Sequence, residues 1–249
     1  MNRYFHPFKI FTKPETSVSI WLNGEPGAIQ KEAENIWNSS KYRVATDGAI
    51  NEITKRHESV EWPHAICGDF DSIDKKIDMR GAKVIHLPDQ DHTDLTKTIE
   101  WCLEQKNEKL WSFDRITLLG GLNGRFDHTM STLSTLVRFV RNETPIIVLD
   151  SCNLVFSLPE VSFSRKKTTD SCFQGESKIY VDLEKTTKMC GVIPIAQKET
   201  ILTSNGLKYE MDSLPLAFGE LVSSSNEVVT NEIKLKSTAP LIFTIDIVK

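Results

Sequence analysis

The chain has no C-x-x-C pair; its five cysteines, Cys67, Cys102, Cys152, Cys172 and Cys190, are odd in number and widely scattered. That pattern argues against a structural zinc site and a disulfide framework, and reads as thiols kept in a reducing compartment. No apolar run is long enough to span a bilayer, and the N-terminal stretch lacks the continuous apolar core of a secretory signal. The expectation is a cytoplasmic protein with no membrane partner. A strong charge of one sign is also missing. The formal net charge is −4 and, apart from Arg165-Lys166-Lys167, the basic residues are dispersed, so no nucleic-acid partner is expected. Neither a Walker A loop, nor G-x-G-x-x-G, nor an internal repeat is present.

What is there is ordinary folding material: 249 residues, 39% hydrophobic and 26% charged. From Val18 to about Asp150, short apolar runs alternate with helix-period segments, the pattern of a mostly parallel, Rossmann-like sheet with crossover helices. Strands are expected at Val18-Leu22, Arg43-Thr46, His64-Cys67, Lys83-Leu87, Arg115-Leu119 and Ile146-Leu149. Leu95, Ile99, Cys102 and Leu103 form one helical stripe, and Phe126, Met130, Leu133, Val137 and Val140 another; both are expected to pack on the sheet. Beyond Asp150 the chain turns to β-branched runs cut by Gly, Pro and Asn, expected to form an all-β sandwich. Strands there are expected at Leu154-Ser157, Lys178-Leu183, Gly191-Ile195, Thr200-Thr203, Glu220-Ser223, Glu227-Asn231 and Leu241-Val248, with Ser164 to Ser177 an irregular exposed loop. The division this implies is residues 1–152 and 153–249.

Chemistry concentrates in three segments. Ala65-Ile66-Cys67-Gly68-Asp69-Phe70-Asp71 is an apolar strand that ends in a glycine and two aspartates. An extended chain would send both carboxylates to one side and Phe70 into the core. A lone Asp-x-Asp is as easily a turn or helix cap. The segment Pro88-Asp89-Gln90-Asp91-His92-Thr93-Asp94 again follows a strand and leads into a helix that Asp91 or Thr93 can cap, with Asp94 near its positive end. Capping does not readily explain so many acids in seven positions. Hard oxygen ligands without neighbouring thiols favour magnesium, with Asp69, Asp71 and Asp94 as its carboxylates. The third segment, Gly120-Gly121-Leu122-Asn123-Gly124-Arg125-Phe126-Asp127-His128, is a glycine-rich turn before a helix start, a plausible cradle for phosphate. Arg125 can bind phosphate oxygens, and Asp127 can orient Arg125 or cap the helix.

Taken together, Thr46-Asp47-Gly48-Ala49, Gly68-Asp69-Phe70-Asp71-Ser72-Ile73, the segment Pro88 to Lys97 and Leu119 to His128 closely resemble the thiamine pyrophosphokinase family, in its eukaryotic stand-alone form. The likeness continues through Cys190-Gly191-Val192-Ile193-Pro194-Ile195, Thr203-Ser204-Asn205-Gly206-Leu207-Lys208 and Phe218 to Asn226. The resemblance implies a homodimeric enzyme with a catalytic α/β domain and a thiamine-binding, dimerising β domain. Such an enzyme moves the β,γ-pyrophosphate of ATP to the hydroxyethyl oxygen of thiamine, with magnesium, giving AMP and thiamine diphosphate. By motif, Asp69, Asp71 and Asp94 match the magnesium and nucleotide carboxylates. Asp47 matches the first acidic motif, Gln90 and Thr93 neighbouring positions, and Arg125 and Asp127 those near the phosphates. Ser223, Ser225 and Asn226 match the thiamine-side segment, which the dimer brings to the other subunit's catalytic domain.

Two departures stand out: Met189 and Tyr209 stand where vertebrate relatives carry tryptophan, which would alter aromatic contact with the cationic thiamine in detail, and the polar loop Ser164 to Ser177 looks like an insertion. On the residues alone, a metal-dependent phosphohydrolase, another nucleotide transferase, or a non-catalytic nucleotide or thiamine sensor are the rival readings.

Overall fold

A computed structural model describes residues 2–24, 30–71, 73, 79–89, 91–165, 171–196 and 199–248; for 162–165 and 171–174 only the backbone is described. In chain order come β1 (Arg3–Phe5), α1 (Lys9–Thr12), β2 (Ser17–Trp21), α2 (Gln30–Ser39), β3 (Tyr42–Thr46), α3 (Ala49–Lys55), β4 (Ala65–Gly68) and β5 (Lys83–His86). There follow α4 (Asp94–Asn107), β6 (Arg115–Leu119), α5 (Phe126–Arg138), β7 (Ile146–Asp150), β8 (Asn153–Leu158), β9 (Ser162–Arg165) and β10 (Ser171–Gln174). Last are β11 (Ser177–Tyr180), β12 (Thr186–Ile193), β13 (Thr200–Asn205), β14 (Leu214–Leu216), β15 (Ser223–Glu227), β16 (Glu232–Ser237) and β17 (Leu241–Ile247). The architecture is mixed α/β. Among the described residues no helix is long and apolar enough to cross a membrane.

The chain falls into two compact units. One comprises Lys9–Thr135 and Thr144–Cys152 and holds six parallel strands in the order β7-β6-β2-β3-β4-β5. Every residue of β2, β6 and β7 is buried, polar Ser17, Ser19, Arg115, Thr117 and Asp150 included, as expected of parallel strands covered on both faces. By contrast β5 has no buried residue and begins with Lys83, a charge that discourages further pairing at an edge. Trp21 of β2 meets Trp37 of α2 edge-on, with ring centroids 5.3 Å apart, a pairing that adds about 1 kcal/mol to the area it buries. Leu95, Ile99, Cys102 and Leu103 of α4 are buried, as their spacing predicts.

The stripe predicted on α5 holds only toward its end: Val140 is buried and Leu133 and Val137 half-buried, but Phe126 is 76% and Met130 41% exposed, while Thr132, Thr135 and Leu136 are buried. Threonine is small, and its hydroxyl finds partners here. Thr132 donates to the His128 carbonyl (3.0 Å), and Thr135 Oγ1 lies 2.9 Å from Thr96 Oγ1 of α4. A polar but satisfied face can be buried at little cost, so the apolar spacing misplaces the buried face.

The other unit comprises the segment up to Phe8, Leu136–Glu143 and Asn153 onward. The sequence division at 152/153 assigns those two earlier pieces to the first half; the first joins this unit by pairing of β1 with β11, and the second through contacts such as Ser157 Oγ donating to the Leu136 carbonyl (2.7 Å), neither encoded in a local pattern. β1 adds parallel to β11, matching Arg3 to Ser177, and heads the sheet β1-β11-β16-β13-β14. A second antiparallel group runs β15-β12-β17-β8. Alternating burial along β13, β16 and most of β17 gives each strand one core-facing side, and Phe5 stacks on Phe156 at 6.0 Å. Two expectations are corrected. The strand expected at Glu227-Asn231 is instead β16, whose Lys234 and Lys236 alternate with buried Ile233, Leu235 and Ser237. The loop expected over Ser164 to Ser177 includes the antiparallel pair β9–β10.

Candidate active site

Parallel strands all point their carboxyl ends the same way, and in open α/β sheets the turns leaving those ends hold the ligand. The predicted acidic and glycine-rich segments leave β4, β5 and β6, and Asp47 leaves β3, so they share one rim of the parallel sheet. Strand order reverses at β2, which lies between β3 and β6. The turn after β2 ties the neighbours together. A Cβ on Gly48 would lie 2.7 Å from Asn23 Nδ2, and one on Gly24 would lie 3.4 Å from Asn123 Oδ1.

Asp47, Asp69 and Asp71 each offer a carboxylate oxygen, and these oxygens all lie within 4.8 Å of one another. Asp47 is 3% exposed and held by backbone: Gly48 N–H donates to Oδ1 (2.6 Å) and Phe70 N–H to Oδ2 (3.1 Å). Hydrogen bonds to a charged group contribute about 1.5–3 kcal/mol each, enough to fix the carboxylate beside the turn after β4. Asp69 is half-buried and Asp71 exposed. Their convergence does not come from an extended chain. Phe70 has a φ of +66°, and Asp71 N–H turns back to donate to Asp69 Oδ1 at 3.2 Å. The Phe70 ring accordingly rests near His86, 6.0 Å away, and is only partly buried rather than in the core. Gly68 is required by proximity, since a Cβ there would lie 2.7 Å from both Cβ and Cγ of Asp47. The set is three hard oxygen donors without a thiol ligand, which fits magnesium.

Asp94 is not one of these three. It is the first residue of α4, whose N-cap is Thr93, accepting from Thr96 N–H at 3.4 Å, and its Oδ1 lies 2.9 Å from Lys97 Nζ. Asp89 accepts from Asp91 N–H (2.8 Å) and lies 2.6 Å from His92 Nδ1, a contact that holds the Asp89 carboxyl below the usual carboxylate range. Gln90 lies outside the described residues.

Gly120, Gly121 and Gly124 adopt φ of +88°, +98° and +78°, left-handed values that open the turn after β6. Arg125 then donates through Nε (3.1 Å) and a terminal nitrogen (2.6 Å) to the two oxygens of Asp127, and Asp127 Oδ1 also accepts from His128 N–H (3.1 Å). Asp127 thus orients the guanidinium from the first turn of α5. Arg125 holds the Asp127 carboxyl below the usual range, and Asp127 raises the Arg125 pKa in return. Both side chains are exposed, so the pair serves geometry more than stability.

Sequence reasoning missed Asp150. At the end of β7 and 1% exposed, it accepts from Leu122 N–H (2.5 Å) and from the Asn123 side-chain amide (2.8 Å), propping the glycine-rich turn from below. Its only sequence signal is an aspartate closing an apolar strand. Burial pushes its pKa up, outweighing the hydrogen bonds that favour the charged form. A carboxyl raised in the folded state binds more protons there than in the unfolded chain, so its contribution to stability is fullest below the ordinary value of 3.8 and declines as pH rises through the folded value. Urea titrations should therefore show the unaltered protein losing ground to Asp150→Asn as pH rises through that interval; a constant difference would mean Asp150 titrates normally.

In the other unit, Asn226 is 2% exposed and its side chain is already engaged. Its Oδ1 accepts from Tyr209 N–H (3.1 Å) and Glu227 N–H (2.8 Å), and Nδ2 donates to the Tyr209 carbonyl (2.9 Å). The effect is to clamp the backbone of Tyr209, whose side chain is 62% exposed with Lys208 Nζ 5.9 Å from the ring centroid. Ser223 and Ser225 share β15 with Asn226; Ser225 is exposed at φ +57°.

Two family models match the chain: the thiamin pyrophosphokinase catalytic domain over residues 33–148 and the thiamin pyrophosphokinase vitamin B1 binding domain over 176–242. Thiamin pyrophosphokinase 1 of Caenorhabditis elegans is 60% identical over 247 residues, covering 99% of this chain and 96% of the relative. Thiamine pyrophosphokinase 2 of Arabidopsis thaliana is 31% identical, covering 86% of this chain and 81% of the relative. Among solved structures, the thiamin pyrophosphokinase from Candida albicans superposes with a TM-score of 0.79 at 20% identity, covering 99% of this chain and 93% of the other. The yeast enzyme gives 0.80 at 19% identity, covering 100% and 92%. At those identities the structures speak for the fold.

Proposed function

This chain belongs to the thiamin pyrophosphokinase family, and from that premise we propose that it transfers the β,γ-pyrophosphate of ATP to the hydroxyethyl oxygen of thiamine. It is an enzyme, a transferase that makes thiamine diphosphate and releases AMP. The observation that carries the mechanism is the convergence of Asp47, Asp69 and Asp71 on the rim that also bears the glycine-rich turn and Arg125.

Asp47, Asp69 and Asp71 would hold magnesium, which when bound neutralises phosphate charge and polarises the β-phosphorus. Asp94, at the start of α4, faces the same chemistry as a nucleotide-side carboxylate, with Gln90 and Thr93 as its neighbours. Arg125, pre-oriented by Asp127 at the start of α5, offsets the negative charge that builds between acceptor and leaving group. Asp127, engaged by two nitrogens of Arg125, serves as an orienting anion, and the hydroxyl proton passes to one of the carboxylates of the site, Asp71, Asp94 or Asp127. On the thiamine side, Tyr209 presents a ring to a cationic heterocycle, Asn226 sets the backbone that carries it, and Ser223 and Ser225 add hydroxyls.

The finer architecture follows the same reading: a Rossmann-like catalytic domain built on Lys9–Thr135 and Thr144–Cys152, and a β-sandwich for thiamine binding and dimerisation built on the strands from Asn153 onward together with β1. Exposed Met189, Tyr209, Phe218 and Leu221 support a homodimer, and buried free Cys67, Cys102 and Cys190 support a cytoplasmic setting.

Incubation of the pure protein with magnesium, ATP and thiamine tests the proposal. AMP should appear only when thiamine is present. Phosphate or ADP released without acceptor would replace the reading with a phosphohydrolase, and binding without turnover would replace it with a sensor.

A further inference from the structure

Lys97 is a charge that the mechanism above leaves without a role. It lies in the first turn of α4 and is 6% exposed, so its ammonium is removed from water close to the positive end of a helix dipole. Burial of an ion at such a place does little for stability even when it is paired. Its surroundings are nevertheless built for it. Nζ donates to the Leu87 carbonyl (2.8 Å) and the Asp89 carbonyl (2.8 Å), and it forms an ion pair with Asp94 Oδ1 at 2.9 Å, a buried oxygen that accepts no hydrogen bond among the described residues. Leu87 N–H in turn donates to the Gly68 carbonyl at 2.8 Å. A single side chain therefore links Asp94 to the segment after β5, and that segment is fastened to the turn bearing Asp69 and Asp71.

We propose that Lys97 is a positioning residue for the nucleotide-side carboxylates: its ammonium fixes the Asp94 carboxylate and holds Leu87–Asp89 against the Gly68–Asp71 turn, so the two acidic segments present one fixed arrangement to metal-bound phosphate. Lys97 touches no reacting atom and acts through Asp94 and two carbonyls. The inference rests on the phosphotransfer reading above.

The test is a double-mutant cycle read by binding. Affinity for a non-hydrolysable ATP analogue with magnesium is measured by calorimetry for the unaltered protein, Lys97→Met, Asp94→Asn and the double variant. Lys97→Met should weaken binding about tenfold when Asp94 is intact and less than about twofold in the Asp94→Asn background, the coupling expected of groups in one network. In turnover, the KM for thiamine should stay within about twofold of the unaltered value, because the thiamine-side segment is not part of the network. Equal losses in both backgrounds, or no loss in either, overturn the proposal and leave Lys97 a structural residue. Should circular dichroism show Lys97→Met unfolded, the same cycle is run with Lys97→Gln, which keeps a donor without the charge, under the same criterion. Thiamine-dependent AMP formation by the unaltered protein is scored separately: its absence would remove the acceptor assignment while the cycle still decides on Lys97.

Discussion

Asp71→Asn is expected to leave the fold and melting temperature essentially unchanged while reducing AMP formation roughly a thousandfold. The side chain is exposed, and the Asx turn is made by its backbone N–H donating to Asp69, which the substitution preserves. What is lost is one negative oxygen from a group of three that lie within 4.8 Å of one another. An amide of the same shape binds a hard divalent cation far more weakly than a carboxylate does. Circular dichroism and thermal melting would verify the fold, and AMP release at saturating substrates would measure the loss. Near-normal turnover would remove Asp71 from the site and leave Asp47 and Asp69 as an ordinary turn.

Gly68→Ala should do comparable damage by a different route. The added methyl would lie 2.7 Å from both Cβ and Cγ of Asp47, atoms of a short, buried side chain with little freedom to move away. Either Asp47 is pushed off its two backbone donors or the turn after β4 shifts. Strain of this kind costs about 1–3 kcal/mol in stability, and a carboxylate misplaced by about 1 Å can cost a hundredfold in rate. Gly81→Ala is the control: its φ of +80° carries backbone strain, but among the described residues nothing lies within 4 Å of the new methyl. The expected contrast is a modest loss of stability with full turnover for Gly81→Ala and loss of both for Gly68→Ala. Equal turnover in the two variants would show that the Asp47 position is not critical.

The parallel half of the fold was legible because its central strands carry short apolar runs and its turns carry Gly and Asp at their carboxyl ends; β6 falls on the predicted Arg115-Leu119. Helix α4 was legible from Thr93 and its apolar spacing. The exposed positions of Phe126 and Met130 were not, because which face of α5 is buried depends on threonine hydroxyls finding partners across the fold. Strand β16 was missed because its outward lysines dilute the apolar signal, and β1 because three residues gain strand character only through pairing with β11.

In the site, Asp69 and Asp71 were marked by their spacing, but the geometry that brings them together was not. It needs a left-handed Phe70, a conformation that sequence alone does not announce for an aromatic residue. Asp47 could be named only by resemblance, since its place beside the pair depends on the pairing of β3 with β4. Asp150 had no motif around it; its importance lies in the Leu122 and Asn123 groups that fold back onto it.

That Asp47 leaves β3 while Asp69 and Asp71 leave β4 has a thermodynamic corollary. The carboxylates converge only when those strands are paired, so the unfolded chain offers a divalent cation separate, weak sites. In the folded protein their mutual repulsion opposes the arrangement until a cation relieves it. With magnesium held there as proposed, metal affinity and fold would be linked by mass action: free magnesium should raise resistance to heat in proportion to the logarithm of its concentration, and its depletion should loosen the same strand pair.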